Sequence, residues 1–177
     1  VSGTSPDGPV DIVISDFADR SGNAEAFTYE QNASVILDTT APAVSSLNVT
    51  STGSVADGVR FAKVGDRIIV SFLTTERILM DALSVTLFAR KVCMNSTCGL
   101  PMALSRKRGA AMRDHFTATY TVDATSVEGP MYVQISGMMD ASGNTGPAHV
   151  GGPVLTIDTT KPTVSALTLE SSGIDAS

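Results

Sequence analysis

The residues of this chain that could do chemistry are few and scattered through 177 positions. Cys93 and Cys98 bound the stretch CMNSTC. Two cysteines cannot fill the four positions of a structural zinc site, and their spacing is not Cys-x-x-Cys. A disulfide closing a short loop between strands is favoured, with a pair of reduced structural thiols as the other reading. Asn32, Asn48 and Asn95 each head an Asn-x-Ser/Thr sequence, the acceptor for N-glycosylation. Three of the five asparagines do so, which together with a disulfide points to an oxidising secretory route and an extracellular place. His115 and His149 stand alone. No His-Glu-x-x-His, no Gly-x-Ser-x-Gly and no phosphate loop accompanies them. The chain therefore reads as non-catalytic.

Charge narrows the partners. The net charge of −6 argues against a general nucleic-acid binder. No apolar run approaches the roughly 18 residues of a membrane-spanning helix. Ten of the twelve Lys and Arg fall between Arg60 and Arg113, and SRKRGAAMR concentrates Arg106, Lys107, Arg108 and Arg113. Such a basic run is either a binding loop for an acidic glycan or a surface protein, or a solvated loop or blunted sheet edge.

The elements that must position these residues are strands. In HFTATYTVD, Phe116, Ala118, Tyr120 and Val122 alternate with threonines, the period-two pattern of a half-buried strand. Ile68, Val70 and Phe72 alternate in the same way, as do Val85, Leu87 and Ala89. Val133 with Ile135, Leu155 with Ile157, and Leu47 with Val49 complete the set. Gly, Pro, Asp, Asn and Ser clusters separate the runs. About seven short strands of antiparallel pattern predict an all-β fold, a β-sandwich of immunoglobulin type.

The sequence also repeats. GPVDIVISDFADRSGN, from Gly8 to Asn23, aligns with GPMYVQISGMMDASGN, from Gly129 to Asn144, at an offset of 121. Asp38-Thr39-Thr40 falls on Asp158-Thr159-Thr160, and Pro42 on Pro162, at an offset of 120. A period of about 120 residues is too long for a solenoid and suits tandem domains. Residues 1–42 read as the C-terminal part of one domain, 43–160 as a complete domain and 161–177 as the first strand of another. The junction phrases SVILDTTAPAVSSLNVTSTG and PVLTIDTTKPTVSALTLESSG are short and hold proline, which favours a semi-rigid connection.

The order of these signals, DASGNTG followed by VLTIDTTKPTVSALTL, resembles the bacterial Ig-like domains of large cell-surface proteins and adhesins, a domain type that also occurs in algal and protist surface proteins. The resemblance covers both junctions and, more loosely, 43–158. It implies a sandwich fold and a stalk or adhesive rod outside the cell, with neighbouring Ig-like domains of the same chain as its first partners. A ligand-binding module and a subunit of an extracellular filament are the alternatives.

Following strand direction through such a sandwich, the turns after Thr75 and at Asp140–Asn144 lie at the end where the preceding domain arrives through Asp38. Asp38, Glu76 and Asp140 are therefore expected to converge there, with Asn144 nearby. Converging carboxylates repel unless they share a cation, and Ca²⁺ accepts six to eight oxygens in flexible geometry. The alternative is a set of solvated turn carboxylates, since Asp also favours turns for its own backbone bonds.

Overall fold

The structure, a computed structural model, describes residues 6–10, 13–28, 35–89, 99–108 and 114–170, and the side chains of these apart from 13–17, 25–28, 107 and 108. It is all-β, with no helix among the described residues.

Residues 6–40 form two small pairs. Strand β1 (Gly8–Pro9) pairs with β4 (Ile36–Leu37), and β2 (Val13–Ala18) with β3 (Ala24–Thr28). From Val44 onward come β5 (Val44–Ser51), β6 (Val55–Ala56), β7 (Val59–Ala62), β8 (Arg67–Thr74) and β9 (Ser84–Ala89). After these come β10 (Leu100–Pro101), β11 (Ala103–Arg108), β12 (Asp114–Thr121), β13 (Gly129–Ser136) and β14 (His149–Ile157). They build two sheets, one ordered β10-β9-β13-β14-β7-β6 and the other β11-β12-β8-β5.

Alternation explains the packing. Ile68, Val70 and Phe72 of β8 and Phe116 and Ala118 of β12 point from the second sheet into one hydrophobic cluster. Val85, Leu87 and Ala89 of β9, Met131, Val133 and Ile135 of β13, and Leu155 and Ile157 of β14 meet them from the first sheet. Every buried hydrophobic residue among those described lies between Ala62 and Ile157. The two sheets thus share one core, and that core belongs wholly to the later part of the chain. Phe72 and Phe116, opposite one another in register, stack with ring centroids 5.0 Å apart.

Three features depart from the expectation of simple antiparallel strands. First, β14 and β7 pair in parallel, with Thr156 opposite Phe61 and Ile157 opposite Ala62. Second, Asp57 and Gly58, at φ 50° and 76°, turn β6 into β7, the backbone that an Asp-Gly hairpin requires. Third, Val44, Leu47 and Val49 are spaced three then two apart, which plain alternation cannot bury together. A register shift between Val44 and Ser46 restores the phase, and all three pack on the core. Val164, Leu167 and Leu169 repeat that spacing, but residues 161–170 take no place in a sheet and these three are 87%, 91% and 93% exposed.

The stacked ring at Phe116, 0% exposed, carries the first prediction. Phe116→Ala should destabilise the fold by about 3–5 kcal/mol, whereas Leu169→Ala should change stability by less than about 0.5 kcal/mol. Denaturant unfolding of both variants measures the contrast, and equal effects would contradict the core assignment.

A carboxylate cluster at the junction

The site is built on a turn. Asp140 follows β13, and its carboxylate closes the turn to Asn144. One carboxylate oxygen accepts the backbone N–H groups of Ser142 at 2.8 Å and Asn144 at 2.9 Å, and the other accepts the Asn144 amide Nδ2 at 2.8 Å. Asp and Asn favour turns because their side chains bond the backbone nearby. Gly143 takes φ 89°, a left-handed conformation open to glycine. Asp140 is 2% exposed, so these donors take the place of water.

The turn then grips the chain that leads into β5. Asn144 Nδ2 also donates to the Asp38 carbonyl at 3.0 Å, and the Ser142 hydroxyl donates to the Asp38 carboxylate at 3.2 Å. Farther on, Ala43 N–H donates to the Thr75 hydroxyl at 2.9 Å, and Thr75 N–H to the Ala43 carbonyl at 2.8 Å. Pro42 is buried between these anchors. A Cβ at Gly146 would lie 1.9 Å from the Pro42 carbonyl oxygen, so only glycine permits this approach. Asp7 holds the other side of the same linker. It accepts the Thr39 N–H and hydroxyl, each at 2.7 Å, and the Thr40 hydroxyl. These bonds, the Thr40 hydroxyl first, lower the Asp7 pKa.

Glu76 arrives from the turn after β8. Asp38, Glu76 and Asp140 each present an oxygen within 4.8 Å of the others. Glu76 Oε1 is buried and has no hydrogen-bond partner among the described residues. Burial first, then the charges of Asp38, Asp140 and Asp7, raise the Glu76 pKa. The convergence expected of Asp38, Glu76, Asp140 and Asn144 is therefore present in the geometry. Asn144 enters it as a donor through Nδ2. Oxygens at this separation fit the 2.3–2.6 Å bonds of Ca²⁺, since two ligands of one ion lie up to about 5 Å apart.

The same bonding recurs elsewhere in the chain. Asp19 accepts Ser21 N–H at 2.8 Å, Asn23 N–H at 2.9 Å and Asn23 Nδ2 at 2.8 Å. Glu128 takes the part of Asp7, accepting Thr159 N–H at 2.7 Å, the Thr159 hydroxyl, and the Thr160 hydroxyl at 2.9 Å. These bonds lower the Glu128 pKa, with the Thr159 hydroxyl the main cause. The acid immediately before Gly-Pro, at Asp7 and Glu128, is the sequence signal for this clamp.

The other candidate residues lie apart from the cluster. Arg106, Lys107 and Arg108 sit on β11, an edge strand, and not in a loop. Arg106 turns to the protein, donating to the Ile78 carbonyl at 3.0 Å and lying 3.5 Å from the Asp114 carboxylate. Asn48 is exposed on β5. Cys93, Cys98, Asn32, Asn95 and Arg113 lie outside the described residues, as do the side chains of Lys107 and Arg108. Comparison with protein-family models, curated proteins and solved structures finds no match.

Two predictions follow from the turn and the orphan carboxylate. Gly146→Ala should free the linker while sparing the core, read as faster amide exchange at residues 38–43 with protection retained in β8 and β13. For Glu76, the folded state keeps a proton that the unfolded state releases as pH rises above about 4.5, so stability falls across that window and levels once the raised pKa is passed. Glu76→Gln should remove this fall in thermal melts recorded without divalent cations. An unchanged pH profile in the variant would contradict the assignment.

Proposed function

We propose that this chain is a non-catalytic segment of a large extracellular protein of tandem immunoglobulin-like sandwiches, serving as a stalk or adhesive rod at a cell surface. The observation that carries this reading is the duplicated bonding. The Asp19 and Asp140 turns, 121 residues apart, have the same donors on the same carboxylate. The pairing of Gly8 with Leu37 likewise returns as Gly129 with Ile157. Two stretches that fold alike at a fixed interval support a reading as two copies of one unit. Residues 1–42 are then the end of one domain, 43–160 a complete domain with its own core, and 161–177 the opening strand of a third. Val164, Leu167 and Leu169, exposed and in no sheet here, would be the apolar face of that strand once it joins the rest of its domain.

A rod needs stiff joints. Here the linker is fastened on both sides, by Asp7 from the preceding unit and by Ser142, Asn144 and Thr75 from the following one. A calcium ion shared by Asp38, Glu76 and Asp140 would stiffen it further, because its ligands come from both units. The ion would also offset the burial and the like-charge repulsion that raise the Glu76 pKa. The binding-module alternative has less support, since Arg106 is engaged with Ile78 and Asp114 and the basic run lies on a sheet edge, where charge discourages pairing with other strands.

Two measurements test the reading. Calcium should raise the melting temperature of the chain by a few degrees and leave that of Glu76→Gln unmoved, with titration calorimetry giving one site. A chain in which Thr160 runs into a second copy of residues 41–177 should scatter X-rays as a longer particle of unchanged cross-section. A particle that thickens and does not lengthen would overturn the rod.

A further inference from the structure

The opposite end of the complete unit carries a cleft that the junction above does not use. Strand β8 begins beside Asp66 and ends beside Glu76, about 25 Å away at some 3.3 Å per residue. The cleft lies at the Asp66 end. Its volume is about 580 Å³, and its lining includes Ser54, Phe61, Lys63, Asp66, Asp158 and Thr160. Asp66 is buried and accepts the Lys63 N–H at 2.9 Å and its ammonium at 3.2 Å. The Lys63 side chain is nonetheless 76% exposed, so the Lys63–Asp66 pair lies open at the rim. Val55, Val59 and Val64, close by in the chain, are 61%, 43% and 47% exposed.

Asp158 ties this cleft to the junction already described. It stands where Asp38 stands in the preceding copy, and both accept a threonine N–H two residues on, at 3.1 Å for Thr160 and 3.2 Å for Thr40. Asp38 is the residue that receives Ser142 and Asn144. Asp158 N–H donates to the Ala62 carbonyl at 2.9 Å, which sets Lys63 next along the chain. A unit received by Asp158 as Asp38 receives its own would therefore bring a Ser-Gly-Asn turn, and the acidic pair behind it, up to Lys63.

We infer that this cleft is the docking surface for the following unit of the same chain, and that Lys63 faces that unit's counterparts of Glu76 and Asp140. The inference rests on the tandem reading above. Its occupant is set by continuity with the Asp38 junction, since Asp158 repeats the place and the threonine bond of Asp38. Lys63, paired with Asp66 at 3.2 Å, is the cation of this end, and Glu76 and Asp140 are the carboxylates of the other.

The duplicated chain, with Thr160 running into a second copy of 41–177, tests it. Nitrogen-15 relaxation should give the two complete units one rotational correlation time. A carbodiimide should join Lys63 of the first copy to Glu76 or Asp140 of the second. Lys63→Glu in the first copy should abolish that link and let the units tumble separately. Ser54→Trp, which fills the cleft mouth and leaves the Lys63–Asp66 pair alone, should do the same to the tumbling. Separate tumbling in the unaltered duplicate, or joint tumbling that survives both substitutions, would overturn the docking. Either result leaves the rod reading standing if scattering still finds two compact units in line, while loss of the two-unit profile removes the tandem reading itself.

Discussion

The side-chain amide of Asn144, with the Ser142 hydroxyl beside it, ties the early part of the chain to the later one. Nδ2 of Asn144 donates to the Asp140 carboxylate and to the Asp38 carbonyl. The first bond shapes the turn, and the second anchors the segment that leads into β5. Neither would be placed without the core beneath. Met138, 1% exposed just after β13, sets where the turn leaves the sheet, and Gly146 N–H returns the chain to the Met138 carbonyl at 2.9 Å. The order of dependence runs from core to strand end, from strand end to turn, and from turn to linker. The bond from Asn144 to the Asp38 carbonyl joins neutral groups and contributes about 0.5–1.5 kcal/mol, small beside the core but enough to bias the linker toward the held position.

The electrostatics of the junction follow from an imbalance of donors. Asp140 has three donors on its carboxylate and Asp38 has two. Glu76 Oε1 has none among the described residues. Hydrogen bonds to a charged oxygen favour the ionised form, while burial and like charge oppose it. Glu76 therefore carries the strain of the cluster, its pKa raised by burial first and then by the neighbouring carboxylates. Three kinds of positive charge could relieve it: a proton, a metal ion, or an ammonium brought by a neighbouring unit. They differ in what they respond to, namely acidity, calcium concentration and the presence of that neighbour.

The strands that make the core were legible because period-two alternation is a direct image of the pleat. Ile68, Val70, Phe72, Phe116, Ala118, Val133 and Ile135 all point where their spacing puts them. The turn chemistry was legible for the same kind of reason, since Asp and Asn bond locally and the repeat marks the place twice. The parallel pairing of β7 with β14 was not. It joins residues nearly a hundred positions apart through backbone groups, which leave no side-chain signature. The β6–β7 hairpin hid in strands too short to show a period, although Asp57-Gly58 announces its turn. Nor did the basic run declare its place. Charge alone does not distinguish a loop from an edge strand, and Arg106 turned inward because Ile78 and Asp114 offered it acceptors.

The two ends of the unit are unlike, and this bears on any assembly built from it. One end presents carboxylates and a Ser-Gly-Asn turn, and the other presents the Lys63–Asp66 pair and Asp158. Unlike ends meet head to tail, and such contacts continue until a ring closes or the chain runs out. A covalent linker fixes the order in advance, so each junction reads in one direction only. Under the tandem reading, polarity is then a property of the unit itself, set by the opposite placement of Lys63 and Glu76 at the two ends of β8.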